Sequence, residues 1–284
     1  MRVARIQAAH RKAPGTFLPA DLINTLLLKC WPRLSRLRQV PGLGGPAHRV
    51  SHWLLPPDRL VWVKVRKGPA QGLWLRLRPR TGGDYCQGSA EPALQEVMCS
   101  YLQPGMVFYD LGANLGFFSL LAAKMVGAKG LVVSFEPDPQ MVHRLKENVR
   151  KNGFQNVRVH ECAAWSTTGL VAFRPADESE SPDHGFGKVE RSLDGNPALV
   201  SSVALDDFTG NEAAPDFVKC DVEGGEFDVF TGARKTLAAH RPIVVCEVHS
   251  QQNSELLTGL FADLGYSLDW ITTHHFLARP KKSP

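Results

Sequence analysis

From Met106 onward, short apolar runs alternate with longer amphipathic stretches. The runs are Met106–Asp110, Leu131–Glu136, Val157–Glu161, Phe217–Asp221 and Ile243–Val248. Each is five or six residues long and rich in β-branched or aromatic side chains, which predicts buried strands. The stretches between them predict helices near 116–126, 138–152, 225–239 and 253–264. Strand and helix in alternation imply a mostly parallel sheet covered on both faces. Two closing runs, Tyr266–Ile271 and His275–Ala278, have no helix between them and read as a terminal hairpin. The stretch Pro175–Pro197 is acidic and rich in Ser, Gly and Pro; it reads as an exposed inserted loop, long enough to be a lid.

Upstream, Leu60–Val65 and Leu73–Leu77 flank a Gly68–Gly72 turn and predict a β-hairpin. Gly82-Gly83 reads as a break. Pro92 to Leu102 reads as a helix with Glu91 near its start, ended by Pro104-Gly105. Between Asp21 and Arg38, apolar residues recur at three- and four-residue spacing, an amphipathic helix interrupted at Pro32. Pro41–Pro46 is a loop. The chain thus divides into a basic N-terminal extension (1–58), a hairpin with a lead-in helix (59–103), and the α/β domain (104–284).

Composition adds little to the domain but much to the extension. Apolar residues make up 43% and charged residues 21%, ordinary for a globular chain. No apolar run nears the roughly 20 residues of a membrane span. Six scattered cysteines form no Cys-x-x-Cys pair, so neither a zinc site nor a disulfide framework is expected, and the expected compartment is cytoplasmic. Residues 1–80 carry sixteen Lys/Arg against two acids; residues 81–284 carry seventeen against twenty-six. The basic arm is either a solvated surface or a contact for an anionic partner, such as a membrane surface met peripherally.

The candidate chemistry begins where the first strand ends, in Asp110-Leu111-Gly112-Ala113-Asn114-Leu115-Gly116. Ligands of open α/β sheets bind beyond the carboxyl ends of the strands. Gly112 and Gly116 allow a tight turn and a close backbone approach. The spacing Gly-x-x-x-Gly differs from the dinucleotide fingerprint. A carboxylate at Asp110 repels a pyrophosphate and suits the ammonium end of a methionine moiety. The second strand ends at Glu136, which can accept hydrogen bonds from ribose hydroxyls; Pro137 and the helix cap Asp138 follow. Together these predict an S-adenosylmethionine pocket, against NAD or a purely structural loop.

Here the chain resembles the FkbM-type methyltransferases. The resemblance rests on Asp110–Ser119, Phe135-Glu136-Pro137, Ala163-Ala164-Trp165 before Gly169, Leu205-Asp206-Asp207-Phe208, Val218–Glu226, and the upstream Gly88-x-x-Glu91. It covers roughly residues 60–280. It implies a class I, Rossmann-like methyltransferase fold of seven strands, and transfer of a methyl group to a hydroxyl of a sugar, glycan or other natural product. The expected cofactor residues are Glu91, Asp110, Gly112, Asn114, Gly116, Glu136, Pro137, Ala163, Ala164 and Asp221.

A hydroxyl acceptor must lose a proton. The tips of strands four and five carry Asp221 with Glu223, and Glu247 with His249; alternation puts each pair on one side of its segment. These four are the expected catalytic group. His249 is the natural base, with a pKa near ~6.5 if unperturbed. The same groups could hold Mg²⁺ or Mn²⁺; the metal-free version is the one expected, because the carboxylates also have structural uses as helix caps. Two other readings remain open: a nucleic-acid methyltransferase using the basic arm, and a non-catalytic cofactor-binding protein. The lack of an Asn/Asp-Pro-Pro-Tyr/Phe motif argues against the first, and the acids at both strand tips argue against the second.

Overall fold

The apolar runs that read as strands build the centre of a seven-stranded sheet in a computed structural model of the chain. The structure describes residues 60–78, 82–175, 187–190 and 197–281. The chain divides into two compact units, Met1–Trp62 and Val63–Pro284. The amphipathic stretch Asp21–Arg38, the Pro41–Pro46 loop and the rest of the basic extension lie outside the described residues.

Strands β1 (Val61–Lys64) and β2 (Trp74–Leu77) form a two-stranded sheet. Helices α1 (Gly83–Gln87) and α2 (Pro92–Tyr101) follow. Gly82-Gly83 is therefore a helix start and not a simple break, with the Cys86 N–H donating to the Gly82 carbonyl at 3.0 Å.

The main sheet begins with β3 (Val107–Leu111), α3 (Phe117–Val126), β4 (Leu131–Phe135), α4 (Pro139–Asn152) and β5 (Val157–His160). An inserted block follows: β6 (Ala163–Ala164), β7 (Gly169–Arg174), β8 (Lys188–Glu190), β9 (Ala198–Val203) and α5 (Leu205–Phe208). The chain returns with β10 (Phe217–Cys220), α6 (Glu226–Thr231), α7 (Arg234–His240), β11 (Ile243–Glu247), α8 (Gln251–Asp263), β12 (Tyr266–Trp270) and β13 (His275–Pro280). The sheet order is β12-β13-β11-β10-β3-β4-β5. The five strands from β11 to β5 are parallel, and β13 runs antiparallel to both its neighbours. This is the class I methyltransferase topology, with the closing hairpin inserting its last strand next to the fifth.

The central strands are buried on both faces, which is why they read as unbroken apolar runs. Tyr109, Phe135, Val218, Cys220, Val244, Phe230 and Phe261 form the core under α6–α8. Helix α4 also grips β2 through its side-chain amides. The Trp74 and Arg76 N–H groups donate to Asn152 Oδ1 and Asn148 Oδ1, each at 2.8 Å. These amides satisfy backbone groups that an edge strand would otherwise expose.

Two expectations are corrected. Pro175–Pro197 is not simply a loop, because Lys188–Glu190 pair antiparallel with Ala172–Arg174 and join a second sheet of order β6-β9-β7-β8. The helix expected over 225–239 is two helices, α6 and α7. The break falls at Gly232, whose packing leaves no room for a side chain: a Cβ there would stand 2.3 Å from the Trp165 carbonyl oxygen. Among the described residues, no helix is long and apolar enough to cross a membrane.

Candidate functional site

A cleft with about 490 Å³ of empty space, part of it open to solvent, lies at the carboxyl ends of β3 and β4. Its floor is Gly112, Asn114, Glu136, Pro137 and Met141; Ala163 and Ala164 form one wall; Asp221, Val222 and Glu223 form another. Phe173 of β7, Val189 of β8 and Gly187 just before β8 complete the lining.

Glu136 sits one residue beyond β4 and is buried. Its Oε2 accepts from the Asn114 N–H at 2.7 Å and its Oε1 from the Asp138 N–H at 2.9 Å. Burial pushes its carboxyl up to about 7, against the pull of those two N–H groups. Asp138 caps α4, accepting from the Gln140 N–H at 2.7 Å. Asn114 takes a left-handed backbone, φ 48°, that turns its N–H onto Glu136.

Seven of the ten expected cofactor residues line this cleft: Gly112, Asn114, Glu136, Pro137, Ala163, Ala164 and Asp221. Three do not. Asp110 lies inside β3, fully buried; the Ser119 hydroxyl donates to its Oδ2 at 2.5 Å, and Lys219 Nζ lies 3.4 Å from its Oδ1. Burial raises the Asp110 carboxyl, and Lys219 and Ser119 oppose that. Gly116 starts α3 and serves packing, since a Cβ there would stand 2.0 Å from Leu145 Cδ1. Glu91 precedes α2 and faces His275. Met141, Phe173 and Val189 went unforeseen; the apolar run Leu170–Phe173 is the signal that could have found a strand there. Trp165 packs on Gly225 and is not part of the cleft wall.

Beside the cleft, the ends of β10 and β11 bring together the four expected catalytic residues. Lys219 stands in register with Asp110 on the neighbouring strand. Its Nζ donates to the Gly112 carbonyl at 2.9 Å and lies 3.5 Å from Asp221 Oδ2. Burial works to discharge this ammonium, but Asp221 and Asp110 outweigh it and hold the pKa above its ordinary value. Burial pushes the Asp221 carboxyl up to about 7, with Lys219 opposing.

His249 is oriented from behind. Its Nδ1 lies 2.7 Å from Oε1 of Glu226, which is fully buried and also accepts from the Gly224 N–H at 2.8 Å and from Asn253 Nδ2 at 2.6 Å. Its Nε2 points to carboxylates: Glu223 at 3.4 Å, Asp221 at 3.7 Å and Glu247 at 3.9 Å. Burial lowers the imidazole pKa, yet Glu226, Glu223 and Asp221 together carry it up to about 9. His275, which read as an ordinary strand position, belongs to the same cluster. It is the register partner of Glu247 in the β11–β13 pairing, and its Nε2 lies 3.2 Å from Glu91 and 3.4 Å from Glu247.

The site is thus an acidic cluster bordering a cleft with a buried carboxylate in its floor. Its chemistry favours a cationic ligand, and the residues fit S-adenosylmethionine. Asp221 Oδ1 is buried without a hydrogen-bond partner. Glu136 retains acceptor capacity, because each oxygen receives only one of these backbone N–H bonds and has a second lone-pair site.

Known proteins resemble the chain in the same region. Hexuronic acid methyltransferase AglP from Haloferax volcanii is 26% identical over 165 residues, 57% of this chain and 64% of AglP. The match therefore spans a little under two thirds of that relative's length. 2-O-methyltransferase NoeI from Sinorhizobium fredii is 24% identical over 198 residues, 63% of this chain and 80% of NoeI. The crystal structure of methyltransferase FkbM from Methylobacillus flagellatus aligns with a TM-score of 0.47 at 17% identity, covering 89% of this chain and 59% of that one. The profile described as the methyltransferase FkbM domain matches residues 110–268, from Asp110 in β3 past both strand tips of the acidic cluster. That is more than half of the chain, and the protein belongs to the FkbM methyltransferase family.

Proposed function

We propose that the protein transfers a methyl group from S-adenosylmethionine to a hydroxyl of a sugar or glycan. One observation carries this reading: Asp221 and Glu223 line the cleft and also face His249, so a donor pocket and an acid–base cluster meet at the same two residues. When bound, the cofactor supplies a methyl group on a sulfonium, already activated for displacement. Glu136 takes the ribose hydroxyls, Gly112 and Asn114 let the loop backbone close on the ligand, and Ala163 and Ala164 leave room for a flat base. Asp110, behind the floor, acts through Lys219 and the loop it supports. The acceptor hydroxyl lies at the cluster of Asp221, Glu223, Glu247 and His249, which takes up its proton. The rest of the catalysis is alignment.

The relatives' names point to a hexuronic acid and to a 2-O position as the groups methylated. The electrostatics here favour a hydroxyl over a carboxylate. Among the described residues, the cations at the cluster are Lys219, His249 and His275, and each already faces carboxylates. Against these side chains alone, an anionic acceptor gains no partner and meets repulsion.

The test uses methyl-labelled cofactor with a panel of neutral glycosides and uronic acids. Label is expected in neutral glycosides as an ether that survives mild alkali. Label found only as an alkali-labile ester on uronic acids, or none on any carbohydrate, overturns the proposed acceptor.

A further inference from the structure

Asp221 divides its two oxygens between different tasks. Oδ2 faces Lys219, while Oδ1 is buried with no hydrogen-bond partner and points at the cluster, 3.7 Å from His249 Nε2. A buried carboxylate oxygen left in this state needs an explanation.

The neighbours supply one. Ligand atoms of Asp221, Glu247 and His249 all lie within 4.8 Å of one another. Ligands held about 2.0–2.2 Å from a common ion stand roughly 3–4 Å apart. Nε2 is 3.7 Å from Asp221 and 3.9 Å from Glu247, so small side-chain adjustments bring all three onto one point. Glu226 engages Nδ1 from behind, which turns the Nε2 lone pair toward that point. A buried carboxylate on the far nitrogen of a ligating imidazole is the usual second layer of a metal site. Glu226 is itself fixed by Gly224 and Asn253.

We propose that Asp221, Glu247 and His249 bind one divalent cation of the Mg²⁺/Mn²⁺ class, with Glu226 as the positioning residue behind His249. Two carboxylates and one imidazole, without thiolates, suit these harder ions and leave positions open. This replaces the metal-free base expected from the sequence: His249 becomes a ligand. The role of the ion rests on the methyl-transfer reading, but its binding does not. In that role it acidifies the acceptor hydroxyl. The O–H proton passes to the Glu223 carboxylate; the oxygen lone pair forms the O–CH₃ bond; the S–CH₃ bond breaks and its electron pair stays on sulfur.

The test is titration of the chelator-treated full-length chain with Mn²⁺, followed by the loss of the free-ion signal in electron paramagnetic resonance. One ion per chain is expected. Glu247→Gln and His249→Ala should each weaken binding at least about tenfold, and Glu226→Gln by about 10–100-fold. S-adenosylhomocysteine binding, read by calorimetry, should survive in all three and reports both folding and the cofactor cleft. A wild-type chain that binds S-adenosylhomocysteine but no Mn²⁺ at about 1 mM, the weak end for carboxylate sites, overturns the proposal. So do variants that bind Mn²⁺ as wild type does. Mn²⁺ binding without S-adenosylhomocysteine binding keeps the cation site and removes the cofactor reading instead.

Discussion

At the scale of single residues, depth along a strand decides what a carboxylate does. Glu136 lies just past the end of β4 and reaches the cleft; Asp110 lies one residue short of the end of β3 and is sealed behind it. The sequence shows two acids near two strand ends, but not where each strand stops: Asp110 pairs with Ser134, two residues before Glu136, so the two acids share a face and differ in depth. Glu136→Ala should weaken cofactor binding by roughly tenfold or more, since hydrogen bonds to a charged group contribute ~1.5–3 kcal/mol; unchanged affinity in calorimetry removes the assignment. The raised carboxyl adds a pH signature. Its folded pKa of about 7 lies above the ordinary 4.5, so its contribution to stability is present below pH 4.5 and is lost as pH rises through about 7. Cofactor binding runs the other way, because the ionised carboxylate is the better acceptor. Affinity should rise between pH 6 and 8, and Glu136→Gln should flatten that rise. Lys219 makes the opposite kind of prediction. It was legible only as one polar residue inside an apolar run, yet it neutralises two buried acids. Lys219→Met leaves both uncompensated and should destabilise the fold by about 3–5 kcal/mol in denaturant titration.

At the scale of elements, the Leu-Asp-Asp-Phe motif turns out to organise helices. Asp206 receives the Lys235 N–H at 3.0 Å on Oδ2 and the Thr236 N–H at 2.7 Å on Oδ1, so it caps α7 from a distant part of the chain. Phe208 packs edge-on against Phe135, the last residue of β4 before Glu136. The motif was recognisable as a string, but its purpose was hidden because the helix it caps lies about thirty residues away. The split between α6 and α7 was invisible for a related reason: apolar spacing runs through Gly232, but Asp206 intervenes, its N–H donating to the Gly232 carbonyl at 2.9 Å and its Oδ1 accepting the Thr236 N–H that would have closed the helical turn. Asp206→Ala should cost about 1 kcal/mol, the usual price of a lost cap, with cofactor affinity unchanged. Gly232→Ala should cost about 1–3 kcal/mol, because the obstructing atom is backbone and cannot swing aside. Urea unfolding of both variants checks these values.

At the scale of the whole molecule, the sheet was the most legible part of the chain, because central strands buried on both faces leave long apolar runs. The second sheet was the least legible: β7 and β9 carry exposed Leu170 and Leu199, so their apolar positions do not mark a core, and β8 is only three residues long. The charge division of the sequence also belongs here. A chain beginning at Arg59 is expected to keep S-adenosylhomocysteine affinity, since the cleft described above draws on no residue before Gly112; a folded truncation that has lost it refutes that separation. The second sheet has a kinetic consequence of its own. It lines the cleft through Phe173 and Val189, yet among the described residues none of its strands pairs with a strand of the seven-stranded sheet. Few shared hydrogen bonds mean that this block can open without the parallel sheet following. Peptides from β7 and β9 should therefore exchange their amide hydrogens faster than those from β3 and β4 in the free protein. They should slow on addition of S-adenosylhomocysteine. The entry and exit of the nucleoside would then be timed by the breathing of a four-stranded cover, on a clock separate from global unfolding.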